Sequence, residues 1–191
     1  MIPELDERIK GRIGYGLIQL IYGHGKGKTT AAIGQMIRCV GAGKKGLIIF
    51  FDKGGTTHYS ERAVLEVIEG IDYVVTGRDR IDPVNGKFDF SITDEDKNQA
   101  EFGIKVAKEA MMSGEYDLVV LDEINSTQSL GMLPLEKVLE ALNEKSESTE
   151  VILTGRNPDQ KLLEIAHLIT EMRLERHYFY SGVPARAGLD F

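Results

Sequence analysis

Residues 17–30 read Leu17-Ile-Gln-Leu-Ile-Tyr22-Gly23-His24-Gly25-Lys26-Gly27-Lys28-Thr29-Thr30, an apolar run passing into a glycine-rich loop that ends Gly-Lys-Thr-Thr. Strand, glycine loop and helix in that order make a phosphate cradle. Gly23, Gly25 and Gly27 let the backbone turn tightly and aim several N–H groups at phosphate oxygens. Lys28 reaches the phosphates as a point charge, and the Thr29 hydroxyl is placed to ligate Mg²⁺. The helix that starts near Thr29 directs the positive end of its dipole at the same spot. The nucleotide-binding set is therefore Gly23, His24, Gly25, Lys26, Gly27, Lys28, Thr29 and Thr30, with His24 acting through its backbone rather than its ring. One letter departs from G-x-x-x-x-G-K-[ST]: Tyr22 stands where the first glycine belongs.

A dinucleotide turn would need G-x-G-x-x-G, and the spacing fails where Lys28 follows Gly27. Asp52, after the second strand, could then pass for a ribose-binding acid; without the glycine spacing it reads as a loop-capping carboxylate.

The 191 residues suffice for one domain with a substantial core. Hydrophobic content of 42% and charged content of 28% are those of a soluble globular protein. A net charge of −7 argues against a nucleic-acid surface, which needs clustered Lys and Arg. The single cysteine, Cys39, excludes an intramolecular disulfide and argues against a cysteine zinc site; on the apolar face of the first helix it reads as a buried thiol. No signal peptide or membrane-length apolar run is visible, so the expected location is the cytoplasm, with no membrane partner.

Strands and helices alternate. Strands are predicted over 17–22, 46–51, 71–75, 116–121, 151–154 and 169–174, and helices after the loop and over 59–69, 97–112, about 135–142 and 162–166. Alternation of this kind implies a mainly parallel sheet with helices on both faces. Residues 77–96 are polar, contain Pro83 and Gly86, and form the least regular stretch, a length of loop that is often functional. Within it Phe88 and Phe90 read first as rings tucked into the core, with cover for a flat ligand as the alternative. His58, His167 and His177 show no metal-ligand spacing and read as ordinary surface or partly buried residues.

Leu118-Val-Val-Leu-Asp122-Glu123 is an apolar strand ending in two carboxylates. Downstream of a phosphate loop, such a strand places its acid beside Mg²⁺. Glu123 is then either a further metal ligand or a general base toward water. Arg156, in Thr154-Gly-Arg-Asn157, leaves the next strand at the same sheet edge and can clamp phosphate with several donors.

Together these segments resemble the ATP:corrinoid adenosyltransferases with a phosphate-loop fold. Tyr22 to Ala32 matches the family loop, which also lacks the first glycine. Phe51-Asp-Lys53-Gly54 matches its Phe-x-Lys-Gly, Asp117 to Glu123 its Asp-Leu-Val-Val-Leu-Asp-Glu, Leu153 to Asn157 its Leu-Thr-Gly-Arg-Asn, and His177 to Phe191 its tail. The resemblance implies an α/β, RecA-like P-loop NTPase fold: a short N-terminal arm over 1–16 and one nucleotide-binding domain over 17–191. It further implies that a Co(I) corrinoid attacks the 5′ carbon of ATP and releases triphosphate. Lys28, Glu123 and Arg156 would serve catalysis; Thr29, Asp122 and Glu123 would hold Mg²⁺ or Mn²⁺; Phe88 and Phe90 would face the corrinoid. A flavoprotein-type reductant and a homodimer are the expected partners. Two departures fall away from the phosphate site. The family's Phe-x-Trp-Glu has only Phe88-Asp-Phe90-Ser91 as its counterpart, and the N-terminal arm, which often closes over the nucleotide in relatives, is short.

Overall fold

The computed structural model describes residues 5–56, 58–81 and 88–190. Six strands, β1 (Ile18–Tyr22), β2 (Gly46–Phe50), β3 (Ile71–Val75), β4 (Leu118–Asp122), β5 (Glu150–Gly155) and β6 (Leu168–Glu171), pair in parallel in the order β3-β2-β4-β5-β1-β6. The strand that feeds the phosphate loop, β1, is thus separated from the acid-bearing β4 by β5. All carboxyl ends emerge at one edge, where α/β sheets bind their ligands.

Side-chain alternation divides the core into two layers. Leu47, Ile49, Val119, Leu121, Val151 and Leu153 face one cluster, built with α3 (Asp94–Ser113), α5 (Leu135–Asn143) and α6 (Gln160–Ile165). Ile48, Phe50, Val120 and Ile152 face the other, against Ala32, Met36 and Cys39 of α1 (Lys28–Gly41), which recur at helical spacing. Cys39 is buried, as its place in the sequence suggested. Helix α3 begins in a capping box between Thr93 and Asp96 and stops at Gly114, whose φ is 68°.

Three expectations shift. The helix expected over 59–69 shrinks to α2 (Arg62–Leu65), with Val64 and Val67 left exposed. The fourth strand begins two residues late and includes Asp122. A short helix, α4 (Ile124–Ser129), follows β4 although Ile-Asn-Ser-Thr-Gln-Ser has no apolar period to announce it. Pro83 and Gly86 lie outside the described residues.

The described part of the N-terminal arm packs at the amino-terminal edge of the sheet: Arg8 donates to Glu164 O and Ala166 O, and Arg12 to Glu147 O. That is the edge opposite the phosphate loop. Among the described residues no helix is long and apolar enough to cross a membrane.

Candidate nucleotide site

The loop between β1 and α1 is shaped by more than its ligand. Gly25 N donates to Met172 O at 2.6 Å, tying the loop to the chain leaving β6. A Cβ on Gly23 or Gly25 would sit 2.5 or 2.6 Å from that same oxygen, so side chains there are excluded by the protein's own backbone. Gly27 has φ 115°, which a side chain would strain. Lys28 is buried and folds back to donate to Gly25 O at 3.0 Å. Burial pulls its pKa below the ordinary lysine value, and the negative charge of Glu123 opposes that fall.

Beside the loop, Asp122 is fully buried and every contact of its carboxylate comes from a different element. Oδ1 accepts from Thr154 Oγ1 of β5 at 2.6 Å, and Oδ2 accepts from Thr29 Oγ1 of α1 at 3.2 Å. Lys53, just past β2, forms an ion pair with Oδ2 and also donates to Thr29 Oγ1 at 3.0 Å. Burial pulls the Lys53 pKa down, but Asp122 and Glu123 outweigh it and the net shift is upward. The ammonium therefore stays charged.

Glu123 adopts a left-handed backbone, φ 62°, a conformation that costs about 1–3 kcal/mol for a non-glycine residue. Its surroundings hold it there. Its N–H donates to Thr154 Oγ1 at 2.9 Å, its carbonyl accepts from Thr127 N and Oγ1, and Ser126 Oγ donates to its Oε2 at 2.5 Å. Ser126 Oγ in turn accepts from Arg156 N at 2.9 Å, joining the turns after β4 and β5. Among the described residues the other left-handed non-glycine residues, Asp52 and Asn157, stand just past β2 and β5. All three lie at the carboxyl edge.

A cleft of about 280 Å³ opens over the loop, lined by His24, Gly25, Lys26, Lys28 and Arg156 on one side. The C-terminal tail forms the other side, with His177, Tyr178, Phe179 and Asp190. Lys26 Nζ lies 2.5 Å from Asp190 Oδ1 and 3.1 Å from Tyr178 Oη, so the tail is latched to the phosphate loop.

A family model described as ATP:corrinoid adenosyltransferase BtuR/CobO/CobP matches residues 14–191. The chain belongs to this family. The corrinoid adenosyltransferase of Escherichia coli K12 is 36% identical over 176 residues, covering 92% of this chain and 86% of the relative. That of Salmonella typhimurium LT2 is 33% identical over 199 residues, covering 98% and 94%. An uncharacterised Nostoc protein is 34% identical, and there the chain spans only 48% of the relative's length.

In this adenosyltransferase-family chain the sequence-predicted residues fall into three groups. Lys28, Thr29, Asp122, Glu123 and the loop glycines come together, and Lys26, His24 and Arg156 line the adjoining cleft. Thr30 is exposed on the first turn of α1 and is not a lining residue. Phe88 and Phe90 depart from the core reading. They are 50% and 83% exposed, with ring centroids 4.7 Å apart, and do not line the cleft. Asp52 caps no loop by itself; its carboxylate accepts from Arg80 Nε at 2.7 Å.

In the sequence Lys53 stands out only as part of Phe51-Asp-Lys53-Gly54. Its sole local signal is a lysine directly beyond a fully buried strand. For a divalent cation, the Thr29 hydroxyl and Asp122 carboxylate are hard oxygen donors of the kind Mg²⁺ takes, so the donor chemistry fits. Among the described residues no group of three or more His, Cys, Asp or Glu could hold a metal ion.

Proposed function

We propose that the chain transfers the 5′-deoxyadenosyl group of ATP to the Co(I) centre of a corrinoid and releases triphosphate. The observation that carries this reading is a family match over residues 14–191 that includes a cleft lined by Lys26, Lys28 and Arg156. Co(I) gives its electron pair to C5′, the C5′–O bond breaks toward the triphosphate, and the cobalt ends as Co(III) bonded to carbon. With cobalt as nucleophile, neither a protein base nor a covalent nucleophile is required.

What remains for the protein is electrostatic. The leaving group gathers negative charge, and donors gathered at the loop stabilise it. Lys28, Lys26, the N–H groups of the loop and Arg156 fill that role. Thr29 and Asp122, with Glu123 beside them, would hold Mg²⁺ or Mn²⁺, which would neutralise further triphosphate charge. Phe88 and Phe90 offer apolar surface to the corrinoid, where they exclude water and take the place of an axial ligand. A flavoprotein-type reductant supplying the electron to Co(II), a homodimeric assembly and a cytoplasmic setting complete the proposal.

The test is product identity. Incubated with Mg-ATP and chemically reduced cobalamin, the protein should yield adenosylcobalamin and intact triphosphate in equal amounts, read by absorbance and ³¹P NMR. Corrinoid-dependent formation of ADP and phosphate would overturn the transfer and indicate hydrolysis.

A further inference from the structure

Between β3 and α3 two arginines gather three aspartates. Arg80 is 5% exposed; its Nε donates to Asp52 at 2.7 Å, and its Nη2 lies 3.2 Å from Asp96 Oδ1. Its Nη1 donates to the carbonyls of Asp89 at 3.1 Å and Ser91 at 2.7 Å. Arg78 grips the same two residues by their side chains: Nη1 donates to Asp89 Oδ2 at 2.7 Å and Nη2 to Ser91 Oγ at 3.0 Å. Its Nε donates to Asp96 Oδ1 at 3.1 Å. Asp96 is itself fixed, since it closes the capping box of α3 by accepting from Thr93 N and Oγ1.

The consequence is geometric. Asp89 and Ser91 are held by guanidinium groups on one side, while their neighbours Phe88 and Phe90 stand exposed as a tilted pair in contact. Two large rings in water need a restraint to stay there, because nothing apolar draws them outward. The restraint also runs inward. Asp52, the Arg80 partner, is the residue before Lys53, which sits on Asp122 and Thr29.

We propose that Arg78 and Arg80 are positioning residues, a clamp that presents Phe88 and Phe90 to the corrinoid and fixes them to the strand end carrying Lys53. The proposal rests on the reading, given above, that this pair of rings meets the corrinoid. Each guanidinium uses its planar fork to reach several oxygens at once, a geometry that lysine cannot reproduce.

The experiment measures KM for reduced cobalamin and for Mg-ATP, with thermal melting, in Arg78→Ala, in Phe88→Ala/Phe90→Ala and in the triple variant. Arg78 is chosen because it is only partly buried, so the fold should survive. Arg78→Ala should raise the cobalamin KM about ten- to a hundredfold, the scale of a misplaced binding group, and leave the ATP KM within about twofold. In the Phe88→Ala/Phe90→Ala background the same change should add nothing, because the rings it positions are gone. An unchanged cobalamin KM, an equal rise in both KM values, or an additive effect in the triple variant would each overturn the clamp. A normal cobalamin KM in the double phenylalanine variant alone would instead refute the corrinoid role of the rings, and the clamp with it, while leaving adenosyl transfer standing.

Discussion

A buried carboxylate is stable as an anion only when its neighbours replace water, and Asp122 meets that demand with Thr154, Thr29 and Lys53. Lys53 contributes the only full positive charge among these three contacts. Removing one member of a buried pair leaves the other charge uncompensated, so Lys53→Met should destabilise the ligand-free protein by about 3–5 kcal/mol. Urea denaturation without divalent cation measures the loss. Mg-ATP should then stabilise the variant more than the parent, because a cation bound near Asp122 restores its missing partner. Equal stability of the two ligand-free proteins would refute the dependence of Asp122 on Lys53. Asp122 was legible in the sequence because an apolar strand ending in an acid is a local pattern. Lys53 was not, because its partner is distant in the chain and the two meet only through the pairing of β2 with β4.

At the scale of elements, β6 is tied to β1 through its ladder and through the side chain of His167, the residue before it. Ile18 N donates to His167 Nδ1 at 2.9 Å, which requires that nitrogen to be unprotonated. Burial and then the charge of Arg8 lower the His167 pKa from 6.5. A group whose folded pKa lies below its unfolded value binds protons more tightly when unfolded. The stability it contributes is therefore full above about pH 6.5 and is lost as pH falls through the folded value. Unfolding free energy should decline as pH falls below about 6.5, and His167→Gln should flatten that decline; denaturant titrations on both sides of that pH check it, and parallel pH profiles would contradict it. The strands themselves were readable because buried parallel strands are continuous apolar runs. Helix α4 was not, because it is started by the strained turn at Glu123 and held by the Ser126 and Thr127 hydroxyls, with Ile124 as a core side chain but no apolar period.

In the whole molecule the tail returns to the loop that follows β1. Lys26 meets Asp190, whose carboxyl is held well below the usual range by Lys26, Tyr178 and Arg186. A phosphate approaching the exposed Lys26 competes with Asp190 for it, so Asp190→Asn should tighten binding of inorganic triphosphate by about two- to fivefold at low ionic strength. The gain should fade as salt rises, since screening weakens surface pairs. Calorimetric titration at two salt concentrations tests it, and unchanged affinity at low salt would contradict the competition. The sequence by itself determined the alternating α/β order, the loop from Gly23 to Thr29 and the acids Asp122 and Glu123, because each is written in residues adjacent along the chain. Only the tertiary structure decided that β5 lies between β1 and β4, that Met172 dictates two loop glycines, that Lys53 reaches Asp122, and that Arg78 and Arg80 hold Asp89 and Ser91 beside the exposed Phe88 and Phe90. Those contacts join residues far apart in sequence, and local pattern carries no information about which distant segments the packed sheet brings side by side.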